Sequence, residues 1–156
     1  MRTILKLHLS IAADLPEPHT SAEVTTFKPA DADEWLALNN EIFIVHPDQG
    51  DWVMQDLTNR MDESWFDADG FFLARESGKI IGFCWTKIHN DRVNEGAIGE
   101  IYVIGVNPAA HSNGLGKALM LTALRYFQGK DIKESMLYVD ADNEKGLALY
   151  ASLGYN

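Results

Sequence analysis

The sequence predicts one α/β (α+β) domain, with a mixed central sheet and helices on both of its faces. The chain has 156 residues, of which 46% are hydrophobic, enough for one packed core. Short segments show the alternating or continuous apolar pattern of strands, and longer segments repeat apolar residues at helical spacing. Taken in order, these segments predict β-α-α-β-β-β-α-β-α after one extra strand at the N-terminus.

The N-terminal part is predicted to contain a strand, a linker and a second strand. Residues 4–11 alternate leucine or isoleucine with other side chains, which is typical of a half-buried strand. Residues 14–21 contain prolines and predict a linker. Residues 23–28 predict a short strand. Asp31 and Glu34 have the spacing of a capping box and predict the start of a helix.

The next segment is predicted to be helical. Trp35 and Leu38 lie on one face of the first helix, and Val53 and Leu57 lie on one face of the second. A turn at residues 46–50 separates the two.

The C-terminal half is predicted to hold the rest of the sheet. Segments 71–76 and 79–89 flank a Ser-Gly pair and predict a β-hairpin. A polar loop precedes a strand at 97–106. A further strand is expected at 136–140, and a last helix at 143–153 is followed by a glycine suited to its C-terminal cap.

The stretch from Gly99 to Leu119 carries the clearest functional signal. A buried strand leads into a glycine-rich loop, and the loop opens an amphipathic helix. Free backbone N–H groups and the positive end of the helix dipole meet at such a junction and favour an anion. Gly114 and Gly116 let the backbone approach a phosphate closely. The loop matches neither a Walker sequence nor G-x-G-x-x-G, which disfavours nucleotide hydrolysis and Rossmann-type dinucleotide binding.

Charge and cysteine content exclude several classes of function. The net charge of −10 disfavours nucleic acid or an anionic membrane as the main partner. Cys84 is the sole cysteine, so no internal disulfide forms and a reducing cytoplasm is expected. No apolar run has membrane-spanning length, and the first residues do not have the pattern of a signal peptide.

Two side chains are candidates for a catalytic role because of their positions in the predicted strand and helix. Glu100 is a charged residue in an apolar strand, on the predicted face of Tyr102 and Ile104. It either lies in a cleft as a base or points to solvent at the strand end. Tyr150 lies on one helix face with Asn143, two turns away, and is either a proton donor or a core aromatic.

The loop and the last helix resemble the GNAT acyltransferase family. The loop is similar to its Q/R-x-x-G-x-G/A pyrophosphate loop, and residues 142–155 are similar to its late helix. The resemblance implies acetyl-CoA as cofactor, Glu100 as base acting through a water, and Tyr150 as acid toward the leaving thiolate. His111 stands where the family usually has Gln or Arg, and Asn113 stands where it frequently has Arg. Both departures put side-chain contacts to the phosphates in doubt.

The cofactor would be held by three groups of residues, mainly through their backbone. The strand would supply Ile104, Gly105 and Val106, and would bulge there to aim an N–H at the carbonyl. The loop would supply His111, Ser112, Asn113, Gly114, Leu115, Gly116 and Lys117, and the last helix would supply Asn143, Glu144, Lys145, Gly146, Leu147 and Ala148.

A closer resemblance points to the second half of the mycothiol synthase family, whose members are tandem GNAT domains. This resemblance rests on the segments at residues 38–40, 46–50, 65–67, 82–89, 99–119 and 137–139. It implies N-acetylation of the cysteinyl amine of Cys-GlcN-Ins, with Asp48, Lys87, Glu100 and Tyr138 contacting this substrate. As isolated residues, Asp48, Lys87 and Tyr138 are ordinary surface.

The same resemblance divides the chain into two parts. Residues 1–22 would be an extra strand and linker, a remnant of a preceding domain, and residues 23–156 the GNAT domain. The family's fold continues past the last helix with a strand pair. We expect strand 4–11 to fill that place, in the same molecule or by exchange in a dimer.

Alternatives to this function stay open at this point. The chain could acetylate another small amine, or bind acyl-CoA without catalysis. No metal is expected, and Cys84, in mid-strand without a histidine at useful spacing, is a poor nucleophile candidate.

Overall fold

The computed structural model describes residues 2–46, 48–92, 95–110 and 114–156. The strands are β1 (Ile4–Ser10), β2 (Glu23–Thr26), β3 (Phe71–Glu76), β4 (Lys79–His89), β5 (Ile98–Val106) and β6 (Glu134–Asp140). The helices are α1 (Ala32–Ile42), α2 (Met54–Met61), α3 (Leu115–Gly129) and α4 (Glu144–Leu153). The predicted order of elements is confirmed.

The strands form one mixed sheet in the order β1-β6-β5-β4-β3-β2. All neighbours are antiparallel except β5 and β6, which are parallel. Strand β1 pairs with β6 from Ile4 opposite Asp140 to Ser10 opposite Glu134. The extra strand therefore occupies a sheet position within its own chain, while exchange of this strand in a dimer stays a prediction.

Each face of the sheet carries its own core. On one face α3 and α4 cover Cys84, Ile101 and Leu137. On the other, α1 and α2 cover an aromatic cluster centred on Trp35, which is fully buried and packs edge-on against the ring of Trp85. This packing follows from the apolar stripes of the helices.

The start of α1 differs from the expected capping box. No side chain caps the helix at Asp31. One carboxylate oxygen of Asp31 instead accepts from the Lys28 backbone N–H at 2.9 Å, and the other accepts from Arg75 at 2.6 Å. Glu34 accepts from the backbone N–H of Ile80 at 2.8 Å. The two acids tie the helix start to β3 and β4, contacts that local sequence does not reveal.

The hairpin between β3 and β4 is confirmed. Ser77 and Gly78 have φ angles of 51° and 80°, the pair of positive values that a two-residue turn matching the strand twist needs.

A β-bulge in β5 sets which side chains face the cleft. Trp85 pairs with Val103 and Thr86 with Ile101, so Tyr102 is an extra residue in β5. Tyr102 packs on the α1–α2 side, whereas Ile104 packs on the α3–α4 side. The expectation that Ile104 shares a face with Tyr102 is therefore wrong, and the irregularity lies before Ile104 rather than at 104–106.

Candidate active site

The candidate site lies where β5 and β6 separate. The two strands pair at Gly99, Glu100 and Ile101, and the pairing stops there although both strands continue. The backbone N–H of Asn107 donates to Ile81 of β4 at 2.8 Å. Because successive residues of a strand point their backbone groups to alternate sides, the N–H groups of Ile104 and Val106 are directed into the gap. A parallel gap of this kind leaves backbone donors available to an extended ligand.

A cavity of ≈220 Å³ fills this gap. Its walls come from the two strands, the start of α4 and the loop after α1. They are formed by Arg2, Ile4, Phe43, His46, Gln49, Ile101, Tyr102, Val103, Ile104, Leu137, Tyr138, Val139, Asp140, Asn143 and Tyr150. The cavity thus connects the α4 side of the sheet with the loop on the opposite side.

Tyr150 lies in the cavity wall although the residue is only 7% exposed. Burial raises the pKa of its phenol to about 12, with the nearby Cys84 thiol as a second cause. Among the described residues, none makes a hydrogen bond to its hydroxyl. The group is therefore protonated at neutral pH and available as a donor.

Glu100 is buried beside the narrow end of the gap and lies outside the cavity wall. Its Oε1 is 2.8 Å from Nε2 of His89, on the neighbouring strand β4. Glu100 thus has a partner rather than pointing to solvent. His89 was not among the predicted site residues, although the alternation of Lys87 and His89 in β4 places both on the Glu100 face.

Of the proposed substrate residues, Tyr138 lines the cavity, whereas Lys87 and Asp48 lie outside its wall. Lys87 pairs opposite Glu100 in the β4–β5 register, but its ammonium lies over the ring of Trp65, 4.6 Å from the centroid. Tyr138 is 56% exposed in the cavity wall. Asp48 is exposed and forms an ion pair with Arg2.

Arg2 joins the loop after α1 to the end of β6. Its guanidinium binds Asp48 and also Asp140, with Nε 2.7 Å from Oδ1. This bond holds the pKa of Asp140 below its usual range. His46 adds to the cluster, since its Nδ1 accepts from the Asp48 backbone N–H at 3.2 Å and its Nε2 lies 3.2 Å from Asp140. Arg2, His46 and Asp140 were not among the predicted site residues, because their proximity depends on the pairing of β1 with β6.

The start of α3 agrees with an anion cradle as far as it is described. Gly114 precedes the helix with a φ of 76°, a conformation that favours glycine. Leu115, Gly116 and Lys117 form the first turn, whose N–H groups have no partner inside a helix. A Cβ at Gly116 would lie 3.3 Å from the side chain of Leu149, so α3 and α4 approach closely here. His111, Ser112 and Asn113 lie outside the described residues.

The start of α4 contributes one side chain to the cavity. Asn143 lines the cavity and caps α4, accepting from the Gly146 N–H at 3.0 Å. Glu144, Lys145 and Ala148 are exposed, and Gly146 and Leu147 are partly buried. None of these five residues lines the cavity.

Other features bear on the chemistry. Cys84 is buried, and desolvation raises the pKa of its thiol to about 12, which leaves it unreactive. Within the described ranges, no group of three His, Cys, Asp or Glu side chains is placed to hold a metal ion. In the same ranges no helix is long and apolar enough to cross a bilayer.

Known proteins resemble both the sequence and the fold. Mycothiol acetyltransferases from Acidothermus cellulolyticus and Salinispora tropica are 43% and 46% identical to this chain over 99% of its length. The chain spans about half the length of these curated relatives, 51% and 52%.

The structural comparison agrees on the fold. A GCN5-related N-acetyltransferase from Sphaerobacter thermophilus superposes with a TM-score of 0.76 at 23% identity, over 99% of this chain and 48% of that one. A CoA complex of the aminoglycoside N-acetyltransferase AAC(6')-Iy superposes with a TM-score of 0.70 at 20% identity, over 88% and 90% of the two chains.

The acetyltransferase (GNAT) family profile matches residues 16–155, a range that contains β2 to β6 and helices α1 to α4 but not β1. The parallel gap between β5 and β6, the glycine-led start of α3 and this match agree, and the chain belongs to the GNAT acetyltransferase family.

Proposed function

We propose that this chain transfers the acetyl group of acetyl-CoA to a primary amine, as a mycothiol synthase-type enzyme. The observation that carries the proposal is the buried, protonated Tyr150 in the wall of a cavity that also receives the backbone N–H of Ile104. A proton donor and backbone donors at one gap suit a thioester whose oxygen gains charge and whose sulfur leaves.

Acetyl-CoA would bind along the gap, with its pantetheine arm beside the backbone of 104–106. The pyrophosphate would meet the first-turn N–H groups of α3, and 143–148 would border the arm on the α4 side. Backbone donation matters here because the net charge of −10 gives an anionic cofactor no general attraction. The GNAT relative with bound CoA supports a CoA-type ligand.

The chemistry is a direct attack of the amine on the thioester. Glu100, acting through a water, would remove a proton from the ammonium. The nitrogen then bonds to the carbonyl carbon while a backbone N–H stabilises the oxyanion. As the C–S bond breaks, the Tyr150 hydroxyl gives its proton to the thiolate.

We propose Cys-GlcN-Ins as the acceptor, since the curated relatives are named mycothiol acetyltransferases. Tyr138 lies in the cavity wall, and Asp48 and Lys87 contact residues of that wall, Arg2 and Tyr102. Their charged or phenolic groups suit a polyhydroxylated amine. Residues 1–22 would be the remnant of a preceding domain, with strand β1 completing the sheet beside β6, and the reaction would take place in the cytoplasm.

The test is release of free CoA thiol with Cys-GlcN-Ins beside a panel of simple amines, corrected for hydrolysis. We expect turnover selective for the cysteinyl amine and lost in Glu100→Gln. Turnover on another amine alone would support the acetyltransferase activity but contradict Cys-GlcN-Ins as the acceptor. Tight acetyl-CoA binding without turnover on any amine would instead identify a binding domain.

A further inference from the structure

A carboxylate–imidazole pair lies where β4 and β5 run side by side. Nε2 of His89 is 2.8 Å from Oε1 of Glu100. The side chain of Glu100 is 10% exposed and that of His89 is 30% exposed, so the imidazole is the more accessible group. An ionised carboxylate only accepts hydrogen bonds, which places a hydrogen on Nε2. In the neutral imidazole, Nδ1 is then the proton acceptor, and it bonds to none of the described residues.

His89 faces a polar groove of ≈540 Å³ on the α1–α2 side of the sheet. The charges in its wall largely pair with one another, since Arg92 binds Glu95 at 2.9 Å and Glu134 at 3.1 Å. Lys6 and Asp91 are the other charged side chains of the wall, and His8 is its second imidazole. The wall therefore carries three carboxylates and two cations, a small negative excess that suits a positively charged amine.

The groove and the β5–β6 cavity share Tyr138 as a wall. A ligand that enters by the groove and reaches past Tyr138 meets the cavity at the level where β5 and β6 separate. Glu100 itself lines neither space. His89 is the member of the pair that an incoming amine would contact.

We propose that His89 is the general base and that Glu100 positions it, so that direct transfer of the proton to the imidazole replaces the transfer to Glu100 through a water. This inference rests on the proposed acetyl transfer. An N–H bond of the ammonium breaks and its proton bonds to Nδ1 of His89. The freed electron pair of the nitrogen attacks the thioester carbonyl carbon. The ionised Glu100 beside Nε2 stabilises the imidazolium until Nδ1 releases the proton to solvent in the groove.

The kinetic test compares His89→Ala with His19→Ala, which removes an exposed imidazole that lines neither the groove nor the cavity. We expect His89→Ala to lower kcat by about 10²-fold with the KM for acetyl-CoA unchanged, and added imidazole to restore part of the rate. His19→Ala should keep the wild-type kcat. Unchanged turnover in His89→Ala, or no rescue in a variant that folds and binds acetyl-CoA, would overturn the assignment.

A variant with better packing guards against misfolding. His89→Gln keeps a polar side chain of similar length but cannot take up a proton, so it should lose the rate while unfolding at the wild-type temperature. If His89→Gln retained full turnover, the imidazole would not be the base.

A second measurement needs no substrate. The nitrogen NMR shifts of His89 at pH 8 should show Nε2 protonated and Nδ1 bare, and Glu100→Gln should change that tautomer balance. A hydrogen on Nδ1 would overturn the proposal. Absence of turnover in the wild type would instead count against the proposed function, so the two failures are distinguishable.

Discussion

The two edges of β5 are built differently. The edge toward β4 is paired from Ile98 opposite His89 to Val106 opposite Gly82. The edge toward β6 is paired at Gly99, Glu100 and Ile101 and then opens. The paired edge is backed by the aromatic cluster, and the open edge borders the cavity. The comparison shows how one strand holds its position on one side while its backbone donors stay unpaired on the other.

The largest effect is expected from breaking the paired side. Trp35 lies within 6 Å of the ring centroids of Trp52, Phe71, Phe83 and Trp85, so Trp35→Ala removes the centre of the cluster. We expect it to lower the free energy of unfolding by about 3–5 kcal/mol, measured by urea denaturation.

Trp35→Phe is the matched control for that change. The indole N–H of Trp35 has no hydrogen-bond partner among the described residues, so its removal carries no lost bond. We expect a cost of about 1–2 kcal/mol from the smaller ring. An equal cost for both variants would contradict the packing account.

A substitution at the open edge should lower the rate of acetyl transfer without changing the free energy of unfolding. Tyr150→Phe keeps the ring and removes the hydroxyl, which bonds to none of the described residues. We expect kcat to fall by about 10²-fold, with acetyl-CoA affinity and unfolding free energy unchanged.

The phenol also gives a pH test of the same residue. Its pKa of about 12 keeps it protonated, so kcat should not decline between pH 7 and pH 9 through loss of this proton. An ultraviolet titration should show a phenolate signal absent from Tyr150→Phe only well above pH 10. A phenolate of Tyr150 formed near pH 9 would refute the donor role.

Alanine substitutions at two glycines distinguish the cost of backbone strain from an effect on ligand binding. Gly78 and Gly114 have φ angles of 80° and 76°, and an added Cβ at either would meet nothing within 4 Å. Alanine at either position should cost about 1 kcal/mol of stability, because an L side chain disfavours this conformation. CoA affinity, measured by calorimetry, should fall in Gly114→Ala alone. Equal affinities would remove the start of α3 from the cofactor site.

The smallest effect is expected at the mouth of the cavity. The pKa of Asp140 is lowered in the folded state by Arg2, so their pair stabilises the fold above the ordinary carboxylate pKa and is lost as the pH falls. Arg2→Met should raise the pKa of Asp140, observed by carbon NMR of its carboxyl. The small stability difference from wild type should vanish in acid, and a difference that persists there would have another cause.

Much of the fold could be predicted because its signals are local. The Ser77-Gly78 turn, the apolar stripe of Trp35 and the glycine at the start of α3 each depend on a few adjacent residues. The bulge at Tyr102 could not be predicted, because one extra residue does not interrupt the sequence pattern of a strand that is apolar on both faces. That single insertion moved Ile104 to the other face.

The site was predictable in its parts but not in its contacts. Tyr150 follows from a motif, and its place in the cavity wall agrees with that motif. The pairing of Glu100 with His89 depends on the β4–β5 register, and the cluster around Arg2 depends on β1 lying beside β6. Both are contacts between residues distant in sequence, which spacing along the chain does not encode.

The pairing of β1 with β6 has a consequence during synthesis. Residues 4–10 leave the ribosome long before residues 134–140, at about 5–20 residues per second, so β1 waits on the order of ten seconds for its partner. Leu7 and Leu9, which later pack against the α3–α4 core, stay uncovered during that time. The nascent chain thus offers an unpaired apolar strand that a chaperone would be expected to protect.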